Sequence, residues 1–536
     1  MLKQRMQLLP GLVCLAAVFV FGTPAAWAGG TIDAPTDLGN LSTTISTSGS
    51  GENYYVFSVG STLPVGVFLN GLSAGYRIEL MDTSGNVFQS SDNPGTWWTD
   101  SLHPGSTGGS LSQLLGAGSY LVHVVGIPLT GNPLYASQDG SFVVNLIALQ
   151  APQTLLVAAS DSVPLVAPDY NCTGTNDQNV INQAIAEVGA QGGGTVILLP
   201  GTYNISDNVL ITYDNVTMTG LGWGTILRLT PNASLYNAGL LRSAFQKSSQ
   251  NVTRARFVNQ HFLHLALDGN RANGTSSKNS YGNFGTYADS SFEDLRVHDF
   301  PHYGFDPHEN TNANAATLRI LIKDSLTDHN SVDGMTTDMC VNSTFTTNVI
   351  DANDRHGINV VTGSQGNTYS NNLVTNNGAN GIMVQPGSDV TTTSDYHTLI
   401  NNVVRANAGS GISVYRAIGT QVLNNKVSLD GQYGIRVRSS TQSEISGNTI
   451  QDDSQSKPAG YNAVYLDDDD LVYSMYNRVE QNVIAASSTA LYHFGIAEKQ
   501  TSDNYNSVVN NTIQGIKVSI RLKGPNSVSS GNIILP

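Results

Sequence analysis

Charge is what this chain has least of: Asp, Glu, Lys and Arg together make 12% of 536 residues, about half the usual share. That shortage excludes a coiled coil, which is built on Glu, Lys and Leu, while a 40% hydrophobic content excludes a disordered chain. Cysteine is almost absent. Of three residues, Cys14 falls in the N-terminal segment, and Cys172 and Cys340 stand too far apart for a disulfide framework or a metal-ligand spacing, so buried free thiols are expected. Bases are scarce as well: 25 Lys and Arg against 40 Asp and Glu give a formal charge of −15, which excludes bulk attraction to nucleic acid. After the first 28 residues no apolar run is long enough to span a bilayer. What fills the space is Gly, at 54 residues, with abundant Asn, Ser and Thr, the profile of a β-rich exported protein. The length exceeds one compact core and implies two domains, or one domain and an elongated repeat.

Residues 1–28 read as a secretory signal: Lys3 and Arg5, an apolar run from Leu8 to Gly22, and Ala26-Trp27-Ala28 as a small-residue cleavage site. Cleavage there leaves 23 bases against 40 acids, a formal charge of −17, and an extracellular or periplasmic product. Residues 29–150 alternate as antiparallel strands do, at Tyr54–Val59, Val65–Leu69, Tyr76–Leu80, Ser119–Val125 and Gly140–Leu146, with Gly, Asn and Asp turns between them. The order resembles the pre-peptidase C-terminal type of sandwich carried by secreted bacterial enzymes, a likeness with no catalytic motif. Trp97-Trp98 in the Pro94-Gly95 loop is either a sugar-stacking pair or a hydrophobic anchor of the sandwich. Residues 151–168, with three prolines and no period, read as a linker.

From residue 169 to 536 the organisation changes. Asn176 is placed to cap a helix whose Val180, Ile181, Ala184, Ile185 and Val188 share one face, ending near Gly189. Gly192-Gly193-Gly194 and the strand Thr195–Leu199 follow; the glycine run lacks the Gly-Lys-Ser/Thr of a phosphate loop. Helix, glycine turn, buried strand and Pro200-Gly201-Thr202-Tyr203 resemble the opening of pectate-lyase-like right-handed parallel β-helices. A Gly-apolar-x-apolar unit then recurs from Gly334, Gly357, Gly381, Gly411 and Gly434, at intervals of 23, 24, 30 and 23. Asn pairs accompany it at Asn371-Asn372, Asn401-Asn402, Asn424-Asn425 and Asn510-Asn511, suited to left-handed corners and to side-chain stacking from rung to rung. The expected architecture is all-β: a parallel β-helix preceded by a small β-sandwich.

Strand alternation turns the repeat into a map. Residues one and three after each Gly fill the coil; those one before, two after and four after face out. With Gly304 as the preceding rung, the outward set is Tyr303, Asp306 and His308, then Asp333, Thr336 and Asp338, then His356 and Asn359, then Asn380, Met383 and Gln385, then Ser413 and Tyr415, and finally Tyr433, Arg436 and Arg438. A phenol, three carboxylates and two imidazoles on three adjacent rungs form one titratable cluster where Ser, Thr and Asn are usual. The run Asp467-Asp468-Asp469-Asp470 reads as a solvated loop or an oxygen-rich cation site.

Tyr303-Gly304-Phe305-Asp306-Pro307-His308-Glu309 resembles the signature of bacterial mannuronan (alginate) C5-epimerases. Leu267-Asp268-Gly269-Asn270-Arg271, Asp333-Gly334 with Asp338, and Asn353-Asp354-Arg355-His356-Gly357 resemble that family in the same order. The resemblance implies Tyr303, Asp306, His308 and Asp338 as the catalytic set. It further implies Asp333, Arg355, His356, Asn359, Gln385, Tyr415, Arg416, Arg436, Arg438 and Arg242 as substrate contacts, although Tyr415 stands where the family has Lys. Alginate would be the partner, bound by a monomer, with calcium as a family-implied ion and no organic cofactor. The chemistry agrees: inverting C5 of a uronate needs a base on one face, an acid on the other and a muted carboxylate charge. His308 suits the base and Tyr303 the acid; Asp306 and Asp338 suit sharing protons, orienting His308 or bonding the substrate carboxyl, and crowding with Asp333 is expected to raise at least one of them into a protonated carboxyl. An alginate lyase shares the first step, and a noncatalytic polysaccharide-binding β-helix would need no acid and base.

Overall fold

The computed structural model describes residues 31–536 apart from 42–43, 61–62, 71–75, 93–107, 116, 127–140, 149–153, 165–166, 232, 234, 236–237, 244–254, 274–279, 311–312, 388–391 and 489–490. The signal segment and Trp97-Trp98 lie outside the described residues.

The first domain is a sandwich of two sheets. One contains the strands Thr36–Asn40, Asn53–Val59, Gly118–Gly126, Tyr76–Asp82 and Val87–Asp92; the other contains Thr44–Ser50, Ser141–Ala148, Leu63–Asn70 and Gly108–Leu115. Alternation decides what is buried: Tyr55, Phe57 and Val59 of one sheet and Val65, Val67 and Leu69 of the other enter a single core.

The second domain begins earlier than its sequence suggests. Thr154–Ala158, inside the segment read as a linker, is a strand paired in parallel with Gly194–Leu198, and Val157 is buried in the coil core. Leu155-Leu156-Val157-Ala158 is an apolar run too short to show a period, and it is the tertiary pairing that makes it a strand. The helix Gln178–Ala190 packs Ile181, Ala184, Ile185 and Val188 into the same core, with Val180 at its margin. Its N-cap is Asp177, not Asn176, which is left-handed at φ 51°. The Asp177 carboxylate makes no helix cap; it accepts from the backbone N–H of Gly174 and of Asn204, tying the helix start to the first coils.

Beyond the helix every rung pairs in parallel with the next. One sheet of 12 strands forms the face that matters for function, and a 26-strand sheet and a short 4-strand sheet close the coil. Along the 12-strand face Met335 pairs with Ile358, Ile358 with Ile382, Ile382 with Ile412 and Ile412 with Ile435, reproducing the spacing of the glycine repeat. Glycine is required by contact: a Cβ on Gly357 would lie 2.4 Å from Val374 Cγ1 and 2.7 Å from the Gly381 carbonyl.

The Asn pairs divide their labour. Asn371, Asn401, Asn424 and Asn510 take left-handed φ of 54–56° at the corners. Their successors Asn372, Asn402, Asn425 and Asn511 stack inside in one ladder with Asn348, Asn448 and Asn482, each donating from Nδ2 to the Oδ1 of the next Asn at 2.9–3.1 Å. Cys172 and Cys340 are buried free thiols. Among the described residues no helix is long and apolar enough to cross a membrane.

Candidate active site

Three outward rows cross the 12-strand face, as the alternation requires. In the middle row, Arg242 pairs with Phe284 and Phe284 with Asp306; the row continues through Thr336, Asn359, Met383 and Ser413 to Arg436. His308 and Asp338 share a second row that leads to Tyr415 and Arg438; Tyr303, Asp333 and His356 share the third.

The predicted catalytic set comes together. His308 Nδ1 lies 3.2 Å from Asp338 Oδ2 and 3.6 Å from Asp306 Oδ1, and its ring packs on Phe284 at 4.7 Å. Burial pushes Asp306 up to about 6, with Asp338 and then Asp333 adding to the effect against the pull of His308. Crowding by Asp333 is thus a minor cause and desolvation the major one. Burial alone would lower His308, but Asp306 and Asp338 hold it well above the ordinary histidine range. Asp338 is itself brought below the usual carboxylate range by the His308 imidazolium, despite its burial. With Asp306, Asp338 and Glu309 around it, the ring is held toward its protonated form.

Tyr303 stands at the other end of the strand Phe305–Pro307. Burial, then the charge of Asp333, pushes its hydroxyl up to about 12. Asp333 faces out as alternation suggested but is covered by its neighbours, with 0% exposure. It accepts from Arg355 (Nε at 2.7 Å, and Nη2), from the His356 N–H, from Thr336 Oγ1 and from Asn359 Nδ2. Its role is to anchor Arg355, which reaches on to the Tyr303 hydroxyl at 3.4 Å.

The remaining candidates separate. His356, lowered by burial, accepts at Nδ1 from the Asn380 N–H. Gln385 donates to Asn359 Oδ1 at 2.9 Å, so these two form a polar floor. Further along, a cavity of about 340 Å³ is lined by Asn380, Met383, Ser413, Tyr415, Arg436 and Arg438. Arg242 is not a groove charge: it is fully buried on the far side of Phe284, its guanidinium lowered by desolvation.

The acidic run proves to be a set of anchors. Asp467 takes Arg436 Nε at 3.1 Å, and Asp469 takes Arg416 Nε at 2.6 Å and the Tyr415 hydroxyl at 2.9 Å. Lys499 Nζ binds Asp468 and Asp470 at 3.1 and 3.0 Å. Every carboxylate of the run thus meets a basic side chain, Lys499 serving two of them. The run also explains how an acidic chain builds a basic groove: Arg416 and Arg436 are held by their own counter-charges, whereas Arg438 lies over the Tyr415 ring at 5.1 Å, its Nε buried without a hydrogen-bond partner.

Two site residues escaped the alternation rule. Glu309 lies 3.5 Å from His308 Nε2, and burial with the charge of Asp338 pushes it up to about 7. The rule fails because the strand ends at Pro307, so residue 309 is not bound to point inward. His302, lowered to about 4 by burial, packs edge-on against Tyr303 at 4.0 Å. Its position two before the glycine, off the strand, gave no signal.

A parallel β-helix bearing an acid and base cluster on the open face of one sheet is a pectate-lyase-like architecture. Two family descriptions divide the coil: "Rhamnogalacturonase A/epimerase, pectate lyase-like" over residues 169–382, and "Right handed beta helix region" over 387–534. Mannuronan C5-epimerase AlgE6 of Azotobacter vinelandii is 32% identical over 383 residues, covering 68% of this chain and 42% of that protein. The solved A-module of the same protein superposes with a TM-score of 0.60 at 30% identity, covering 68% of this chain and 96% of the module. Alginate lyase 7 of A. vinelandii is 29% identical over 377 residues, 67% of this chain and 42% of that protein. The chain belongs to the mannuronan C5-epimerase A-module family. It spans less than half the length of the full-length AlgE6 protein.

Proposed function

We propose that this protein epimerises β-D-mannuronate to α-L-guluronate within the alginate polymer. The observation that carries the reading is the buried group of His308, Asp306 and Asp338 at one end of the strand Phe305–Pro307, with Tyr303 at the other. A uronate lying across that strand meets a nitrogen base at one side and a phenol at the other, the arrangement that inversion needs. His308 takes the C5 proton; the electron pair is held on the sugar carboxylate, and Asp306, in its protonated form, donates a hydrogen bond to that carboxylate. Tyr303 then delivers a proton from the opposite face, and Arg355 steadies the phenolate it leaves. The groove beyond, with Tyr415 and Arg438, suits neighbouring uronates of a polymer. The N-terminal pattern of residues 1–28 supports action outside the cytoplasm.

A protein named alginate lyase among the relatives gives the second reading, in which the same intermediate loses its 4-O-glycosidic group. Proton NMR of polymannuronate after incubation, with absorbance of unsaturated uronate followed in parallel, separates them. Guluronate signals without absorbance are expected. Chiefly unsaturated ends would replace epimerase with lyase, and unchanged polymer would remove both.

A further inference from the structure

Both nitrogens of the His308 ring face carboxylates. Nδ1 lies 3.2 Å from Asp338 and 3.6 Å from Asp306, residues already given roles, while Nε2 faces Glu309 Oε2 at 3.5 Å. Glu309 is buried, its Oε2 accepts from no donor, and its other near neighbour is the Asp338 carboxylate. The charged and titratable groups around the ring are Asp306 on its own rung, Glu309 just beyond, and Asp338 on the next rung, where the buried Cys340 thiol lies close to all three acids and is pushed far up by desolvation. On the preceding rung the uncharged Phe284 packs against the ring.

An imidazolium carries a proton on each nitrogen, and flanked by carboxylates on both sides it has no lone pair with which to accept a proton from C5. The reaction assigned above therefore needs a route by which Nε2 is emptied, and one group lies against that nitrogen. We propose that Glu309 receives the Nε2 proton of His308 and so converts the resting imidazolium into the neutral base. The proton moves from Nε2 to Oε2; imidazolium and carboxylate become imidazole and carboxyl, with no change in total charge and no further reactant. Nδ1–H stays with Asp338, and the lone pair freed on Nε2 takes the C5 proton while the C–H electron pair remains on the sugar. Entry of a uronate expels water from the groove, and a drier site disfavours the separated charges of the ion pair relative to the neutral pair. Glu309, touching His308 and not the sugar, is a positioning residue. The value of about 7 to which its carboxyl is pushed matches a group that can hold or release a proton at neutral pH.

This inference rests on the epimerase reading, and its test can be made without substrate. In the intact chain with labelled histidine, the His308 ring nitrogens are followed by NMR against pH, the signal being assigned by its loss in His308→Gln. Glu309→Gln removes the negative charge beside Nε2 and keeps the side chain's size. The imidazolium-to-imidazole transition of His308 is expected to move to lower pH by about one unit or more, and the acid limb of the rate profile with it. Glu309→Asp, which withdraws the carboxylate by one methylene, is expected to place the transition between the other two, and it serves if the Gln variant does not fold. A transition unmoved in the folded variants overturns the proposal, as does a loss of rate with no change in the pH profile, the mark of a merely structural role. If the intact chain never forms guluronate but the transition shifts as expected, the epimerase reading falls while the coupling of Glu309 to His308 stands.

Discussion

Arg355 holds Tyr303 twice: Nη2 lies 3.4 Å from the hydroxyl, and the guanidinium carbon stands 5.6 Å over the centre of the ring. The same guanidinium neutralises Asp333, which has no exposure to water. One side chain therefore both orients the phenol and compensates a buried charge, and the two duties can be separated by mutation. Arg355→Met is expected to cost roughly 2–4 kcal/mol, because it strands the Asp333 carboxylate; the Arg is 41% exposed, which keeps the figure below that of a fully buried pair. Arg355→Met combined with Asp333→Asn should recover most of that loss in chemical denaturation without restoring turnover.

Tyr303→Phe keeps the ring and its packing against His302 and Tyr281 and removes only the hydroxyl. If Tyr303 acts after proton abstraction, guluronate formation should fall by on the order of 10² or more while solvent deuterium still enters residues that remain mannuronate. Mass spectrometry of the polymer after reaction in deuterium oxide reads this. Loss of exchange together with epimerisation would place Tyr303 at or before abstraction and reverse the order of base and acid.

The Asn ladder makes a quantitative demand. Asn425 accepts from the N–H and Nδ2 of Asn402, and its own Nδ2 donates to Asn448 Oδ1 and to the Leu399 carbonyl, all in the dry interior. Asn425→Ala strands several of these partners at once and is expected to cost about 3 kcal/mol or more. The exposed Asn424 beside it, whose left-handed φ of 54° glycine also adopts, should tolerate Asn424→Gly within about 0.5 kcal/mol. Thermal melts of the two variants should differ clearly; equal melts would deny the division of labour between the two members of each pair.

Much of this was legible in the sequence because a coil repeats a local rule. The spacing of Gly334, Gly357, Gly381, Gly411 and Gly434 fixes the register, and register with strand alternation places Asp306, His308 and Asp338 on one face. The rule works only where the strand persists. It missed Glu309, two residues past the end of the strand, and it did not show that Arg355 folds over the outward Asp333 and covers it. It also could not see that Arg436 and Asp467 meet, since those residues are 31 apart and their contact depends on a loop insertion in the intervening rung. Pairings set by insertions lie outside what periodicity encodes.

Where the coil begins can be tested directly. A chain starting at residue 169, at the end of the segment that reads as a linker, lacks Thr154–Ala158 and leaves the strand Gly194–Leu198 without its partner on that side. A chain starting at residue 150 keeps that strand and Val157, which packs with the helix in the first turn of core. The longer piece is expected to fold and to retain activity, because the acid and base cluster lies wholly within it. The shorter one should be less stable by about 2 kcal/mol or more, or aggregate through its opened edge. Equal stability of the two would return 154–158 to the status of a tether.

A second ladder behaves differently at high pH. Asn330, Asn353, Asn377 and Asn407 stack as the first ladder does, but the next two steps are Asp430 and Asp453, both with no exposure to water. An Asn at position 430 would pass an Nδ2–H to the next rung. Asp430 has an oxygen there, and that Oδ2 is buried with no donor facing it. Two acceptors side by side need a proton, and burial, with the neighbouring carboxylate, holds Asp430 well above the ordinary range; burial likewise pushes Asp453 up to about 7, against the hydrogen bonds it accepts from Tyr492 and the Asp430 N–H. The sign follows: the folded chain keeps a proton that the unfolded chain releases above about pH 4, so the contribution of this pair to stability is greatest at acid pH and is lost as pH rises through about 7, by a few kcal/mol in total. Asp430→Asn restores the missing donor. It should raise the melting temperature at pH 8 by several degrees and flatten the slope between pH 5 and 8. A variant melting with the slope of the unmutated protein would show that the shared proton is not there.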